Sequence, residues 1–187
     1  MLKILFVGYN SKKTQLINYL KKNNKVIVHG QKTLNRKIIK NFDLIISFGY
    51  KKIIKPNILK VLKRPAINLH ISYLPYNRGA HPNFWSFVDQ TPKGVTIHEI
   101  NDQIDSGKII LRKKIIFNLT EKTTFIDTYN ILFNEIEKLF LKNSSNILLK
   151  KYKTKVIKTI GTYHNKNDLP KNITSWNIKI LNYLNNL

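Results

Sequence analysis

Asn68 and His70 stand one residue apart at the end of the apolar run AINLH (66–70). Three of the chain's ten acids, Glu99, Asp102 and Asp105, follow His98 at once. On an extended segment alternate side chains share a side, so Asn68 and His70 face one way and Leu69 the other. An amide donor, an imidazole and a carboxylate together are suited to stabilising the oxyanion of a tetrahedral intermediate while a proton moves. A carboxylate beside His70 would raise its pKa and fix its tautomer, so an imidazolium is expected at neutral pH. The plainer alternatives are a buried polar pair satisfied by backbone, and turn carboxylates at Asp102 and Asp105 that cap their own backbone.

Other chemistries find less support. Ser72 is the only nearby hydroxyl and has no G-x-S-x-G elbow around it. The absence of cysteine excludes disulfides, thiolate nucleophiles and cysteine-held metals. His70, His81 and His98 could be imagined around zinc, but His98-Glu99 lacks the second histidine of H-E-x-x-H, so no metal is expected. GYNSKK (8–13) is not a G-x-G-x-x-G fingerprint, which argues against a dinucleotide site.

The elements that must position these residues read as an α/β chain. LKILFVG (2–8), KVIVHG (25–30), DLIISFG (43–49) and AINLH (66–70) are short apolar strands. Between them lie helical segments: 11–23 with Ser11 as N-cap, 34–42, and 56–62 opening at a proline. That alternation implies a mostly parallel twisted sheet with helices on both faces, a Rossmann-like fold that binds ligands beyond the carboxyl ends of its strands. A helix at 83–90 follows, then strands 94–101 and 107–117 joined by DQIDS. The span 123–149 carries Phe125, Ile126, Tyr129, Leu132, Phe133, Ile136, Leu139 and Phe140 at helical spacing. The last stretch reads as a loop over 158–170 and a helix over 173–184. One domain is expected over 1–187, with 150–187 as an extension.

The chain has 187 residues and 42% hydrophobic content, enough for a real core, and no apolar run long enough to span a membrane. Its N-terminus reads as a buried strand rather than a signal peptide, so a cytoplasmic protein with no membrane partner is expected. The net charge of +23 suggests an anionic partner, yet only four of the basic residues are arginines, the side chain that phosphate readout favours. A solvated lysine-rich surface competes with a nucleic-acid face.

Four motifs then follow in order: N-L-H-x-S-x-L-P-x-x-R-G (68–79), P-x-F-W (82–85), T-P-K-G-V-T-I-H (91–98) and D-x-I-D-S-G-K-I-I (102–110). Together they resemble the formyltransferases that use 10-formyltetrahydrofolate, densely over 44–110 and more weakly from Met1. The resemblance implies a catalytic triad of Asn68, His70 and Asp105. It implies a pterin site built largely from the backbone of two loops, with Phe48, Tyr50, Lys52, Ile54, Asn101, Asp102 and Ile104 as contacts. Lys52 stands where relatives often carry arginine. Ser72, Tyr73, Arg78, Gly79 and His81 are expected to form the wall on the acceptor side. The implied reaction is formyl transfer to a primary amine.

Relatives formylate nucleotide-linked amino sugars, methionyl-tRNA, glycinamide ribonucleotide or a carrier-bound aminoacyl group. Methionyl-tRNA enzymes carry a further C-terminal barrel, for which the residues after Leu149 are too few. GTYH (161–164) and 91–98 resemble the small sugar and carrier-type members. A nucleotide-linked amino sugar is therefore the expected acceptor, with basic side chains meeting its diphosphate. A non-catalytic nucleic-acid-binding module of the same fold is the alternative of another class. Homodimerisation is a further expectation, through the aromatic C-terminal segment with Trp176 and Tyr183, unless that segment packs on the chain's own core.

Overall fold

The computed structural model describes residues 1–187. In chain order its elements are β1 (Lys3–Gly8), α1 (Leu16–Lys21), β2 (Lys25–Gly30), α2 (Arg36–Ile39), β3 (Leu44–Phe48), α3 (Pro56–Leu59), β4 (Ile67–His70) and β5 (Arg78–Gly79). There follow α4 (Pro82–Val88), β6 (Gly94–Glu99), β7 (Ile109–Lys114), α5 (Phe125–Leu148), β8 (Tyr163–His164), a 3-10 turn (Lys166–Asp168) and α6 (Ile180–Leu184). The main sheet has the order β2-β1-β3-β4-β6-β7. Its first four strands are parallel, and β4–β6 and β6–β7 are antiparallel.

The sheet is thus mixed, with its parallel part confined to the N-terminal half. The β6–β7 connection is a hairpin, which returns the chain alongside itself without the crossover that parallel neighbours need. Strand β1 is an interior strand, flanked by β2 and β3, and its Ile4, Leu5, Phe6 and Val7 are all fully buried. Such a strand reads as an unbroken apolar run because both of its faces are covered. One cover consists of α1 and α5, whose Leu16, Ile17, Leu20, Leu132, Ile136 and Phe140 pack with Ile4, Phe6 and Ile46. The other consists of α2 and α3, whose Ile39 and Ile58 pack with Leu5, Val7 and Ile45.

Helix α5 is fixed at both levels. Thr124 and Asp127 form a capping box, and the first-turn N–H groups of Phe125 and Ile126 donate to the carbonyls of Ile178 and Trp176. That pairing keeps 173–179 irregular, so the expected helix over 173–184 is reduced to Ile180–Leu184. Trp176 and Tyr183 pack on the third apolar cluster, with Phe84, Phe87, Phe125 and Ile180. They belong to the chain's own core.

Three further expectations shift. The helix expected from Ser11 begins only at Leu16. Asn10 organises the preceding turn by accepting from the N–H groups of Lys12 and Lys13, so Ser11 caps nothing. The loop expected over 158–170 contains β8, which pairs in parallel with β5. The loop between β6 and β7 runs over 100–108, longer than DQIDS. No helix is long and apolar enough to cross a membrane.

Candidate active site

Strand β4 delivers Asn68 and His70 to the carboxyl edge of the sheet, and β6 lies beside it with His98 in register with Asn68. Asp105 comes from the β6–β7 loop, whose form Asn101 sets: its Oδ1 accepts from Gln103 N–H and the Ser106 hydroxyl. Asp105 takes a left-handed conformation there, with φ of 48°. The loop closes tightly because Gly107 lies on the Glu99 carbonyl, where a Cβ would come within 1.7 Å of the oxygen.

These elements bring four polar side chains together. Asp105 Oδ1 accepts from Asn68 Nδ2 at 3.1 Å, and Oδ2 lies 3.6 Å from His70 Nδ1. Oδ2 also accepts the Gly79 backbone N–H at 3.0 Å. His98 Nδ1 donates to the Glu99 carbonyl, which leaves Nε2 to accept the second Asn68 N–H at 3.2 Å. Asn68 is thus oriented by Asp105 and His98 together. Of the acids near His98, Asp105 is the one that reaches His70, while Asp102 is exposed and Glu99 accepts from the Tyr152 hydroxyl.

The electrostatics follow from burial and these contacts. Burial alone would raise the Asp105 carboxyl, yet the His70 ring and the Gly79 N–H hold it well below the usual carboxylate range. Burial pushes the His70 imidazole below the usual histidine range, and the pull of Asp105 only partly offsets it. His70 therefore rests neutral at neutral pH, not as the imidazolium expected from its neighbour alone. Desolvation of a ring in the sheet edge outweighs one nearby charge.

The cluster opens into a cleft of about 900 Å³. Phe48, Tyr50, Lys52, Ile54, Asn101, Asp102 and Ile104 all line it. Their loop is held by its neighbour 31–33: Gln31 bridges the Gly49 carbonyl and Lys51 N–H, the Tyr50 hydroxyl donates to the Lys32 carbonyl, and Lys52 Nζ donates to Thr33. Apolar side chains and a hydrogen-bonded backbone therefore line this part of the cleft. No group of three or more His, Cys, Asp or Glu is arranged to hold a metal ion.

The acceptor-side expectations divide. His81 and Gly79 line the cleft, although Gly79 also serves Asp105. Ser72, Tyr73 and Arg78 lie outside it. Ser72 is buried and donates to the Tyr76 carbonyl, and Tyr73 carries the Arg112 guanidinium 4.4 Å from its ring centre. Arg78 is tied into β5 by its backbone, with its Nε buried and unpartnered. Residues that sequence reasoning missed take their place: Asn83, Tyr129, Lys166 and Trp176 line the cleft. Trp176 packs on the His81 ring at 5.4 Å. Only the GTYH motif pointed toward this wall.

Fold and cluster together define an α/β protein with an amide, two imidazoles and a carboxylate gathered at one cleft. Residues 4–137, more than half of the chain, match the family model described as formyl transferase, and the chain belongs to that family. Among solved structures, the formyltransferase PseJ from Anoxybacillus kamchatkensis, in complex with UDP-4,6-dideoxy-4-formamido-L-AltNAc and tetrahydrofolate, is similar over 96% of both chains. That match has 39% identity and a TM-score of 0.88. The dTDP-4-amino-4,6-dideoxyglucose formyltransferase of Mycobacterium bovis is 38% identical over 77 residues, 41% of this chain and 32% of that protein. The methionyl-tRNA formyltransferase of Thermodesulfovibrio yellowstonii is 33% identical over 106 residues, 52% of this chain and 33% of that protein. The chain spans about a third of the length of these two curated relatives.

Proposed function

We propose that this protein is an N-formyltransferase that moves a formyl group from 10-formyltetrahydrofolate to the primary amine of a nucleotide-linked amino sugar. The observation that carries the reading is the Asp105 carboxylate held between His70 and Asn68 at the cleft, in a chain similar from end to end to a formyltransferase complexed with tetrahydrofolate and a formylated UDP-sugar.

The folate is a substrate here, with its pterin between the 48–54 and 101–105 loops. The acceptor amine attacks the formyl carbon, and the carbonyl oxygen gains negative charge. Asn68 gives up its long contact to His98 and donates to that oxygen. His70, neutral at rest, takes the proton released by the attacking nitrogen and becomes an imidazolium, which the Asp105 charge stabilises. It then hands the proton to the folate nitrogen as the carbon–nitrogen bond breaks, leaving a formamide and tetrahydrofolate. Proton transfer and oxyanion stabilisation of this kind each contribute roughly two to four orders of magnitude in rate.

Lys166 and Lys51, near enough to His81 to lower its pKa further after burial has done so, form the cationic part of the cleft where a diphosphate would lie. The test offers 10-formyltetrahydrofolate with UDP-, dTDP- and GDP-linked amino sugars, methionyl-tRNA and glycinamide ribonucleotide, following tetrahydrofolate release. Turnover is expected with a nucleotide-linked amino sugar. Turnover with methionyl-tRNA alone would overturn the acceptor assignment, and salt-sensitive RNA binding without transfer to any amine would overturn the enzymatic one.

A further inference from the structure

The GTYH motif takes no part in the chemistry above, yet Thr162 directly and His164 through Asp89 hold Asn77, whose carbonyl lies beside the catalytic histidine. His70 has an acceptor beside each ring nitrogen: Asp105 Oδ2 at 3.6 Å from Nδ1 and the Asn77 carbonyl at 3.3 Å from Nε2. A neutral imidazole carries one N–H and satisfies one of them. Only the imidazolium, with two donors, satisfies both. Asn77 thus supplies half of the cradle that the protonated ring needs.

The placement of that carbonyl is specified in detail. Asn77 is completely buried and left-handed, with φ of 54°, a conformation that asparagine tolerates better than most residues. Every polar group it has is used. Its N–H donates to Thr162 Oγ1 at 2.8 Å, its Oδ1 accepts from Thr91 at 2.6 Å, and its Nδ2 donates to Asp89 Oδ2 at 3.2 Å. Asp89 Oδ2 also meets His164 Nε2 at 2.7 Å, and the His164 ring lies flat on Trp85, 3.9 Å between centres and 4° between planes. The backbone joins in: Arg78 N–H donates to the Thr162 carbonyl and Ala80 N–H to that of His164. Gly161 permits this approach, since a Cβ there would come within 1.9 Å of the Pro75 oxygen.

We propose that Asn77 is a positioning residue for His70, and that the Asp89–His164 pair, with Thr91 and Thr162, holds its carbonyl where the protonated ring requires an acceptor. The same short loop presents the Gly79 N–H to Asp105, so one device fixes both members of the catalytic pair. Asp105 and His98 are the other titratable groups that face His70. Gly, Thr and His of GTYH each have an assigned duty in this lattice, and the segment is at once a wall of the cleft and a brace for the proton carrier.

The proposal rests on the formyl-transfer reading for its chemistry, but its test also reads the ring directly. His70 is titrated by NMR in the full-length protein, alongside kcat and both KM values, in wild type, Asp89→Asn, Thr91→Val and Asn77→Gly, the last of which keeps the left-handed backbone. Each variant should shift the His70 midpoint to lower pH, because the imidazolium loses its second acceptor. Each should lower kcat by about tenfold or more and leave both KM values within about twofold. Asp89→Asn nearly preserves shape, so it decides the matter if Asn77→Gly fails to fold. An unchanged His70 midpoint in Asp89→Asn and Thr91→Val overturns the proposal, as does a raised acceptor KM with unchanged kcat. If wild type formylates no amine, the functional reading fails while the titration still tests the brace.

Discussion

The Asp105 carboxylate touches Asn68 with one oxygen and the Gly79 backbone with the other, the second oxygen lying 3.6 Å from His70. Its position is set by three separate elements, and its charge is the only one facing His70 among the acids. Asp105→Asn keeps the shape and removes the charge. The expected result is a loss of roughly 10²- to 10⁴-fold in kcat with little change in KM for folate, measured as tetrahydrofolate release.

The same substitution fixes the sign of a pH effect. Removing a negative neighbour disfavours the imidazolium, so the His70 midpoint, already lowered by burial, should fall further in Asp105→Asn. Raising the acidity should not rescue the variant at ordinary assay pH. An NMR titration showing the midpoint move upward would contradict this account of the site.

Stability should follow Asp105 and His70 in the same direction along the pH axis, falling on acidification. Its folded pKa lies below the unfolded carboxylate value of roughly 3.9, so its contribution is present above that value and is lost as pH falls through the folded one. His70 acts at higher pH. Below roughly 6.5 the unfolded chain binds a proton that the folded ring resists, which erodes stability on acidification. Urea midpoints at pH 7, 5 and 3 should show the gap between wild type and Asp105→Asn shrinking at the acid end.

Much of this arrangement is legible in the sequence because it depends on local rules. Alternation puts Asn68 and His70 on one face, and apolar runs ending in glycine mark β1 and β3. What stays hidden depends on contacts between distant segments. His98 gives no sign of orienting Asn68, since only strand pairing brings it there. Ser11 obeys a capping rule that Asn10 and Glu137 override, and the irregular 173–179 segment follows from the needs of α5. The resting charge of His70 departs from expectation because burial cannot be read from a neighbour's charge.

Glu137 offers a test of the core that is independent of catalysis. It is 4% exposed and accepts from the Thr14 hydroxyl, from Gln15 N–H at 3.2 Å and from Gln15 Nε2 at 2.8 Å, tying α5 to the start of α1. Glu137→Leu would leave the buried Thr14 hydroxyl without this acceptor and cut the tie to Gln15, a loss of roughly 1–3 kcal/mol in chemical denaturation. Glu137→Gln retains an acceptor and should lose less.

The cationic part of the cleft offers a test that separates the two proposed substrates. Lys51 and Lys166 come from different walls, yet both act on His81, whose pKa is lowered first by burial and then by these two charges. A nucleotide diphosphate between them would be attracted by both, whereas the formyl carbon would feel neither directly. Lys51→Ala and Lys166→Ala should each raise the acceptor KM by roughly three- to tenfold, given about a kilocalorie for an exposed charge contact, and leave kcat close to wild type. The effect should weaken as salt shortens the screening length below about 8 Å. A rise in folate KM instead, with acceptor KM unchanged, would reassign these lysines to the glutamate tail of the donor.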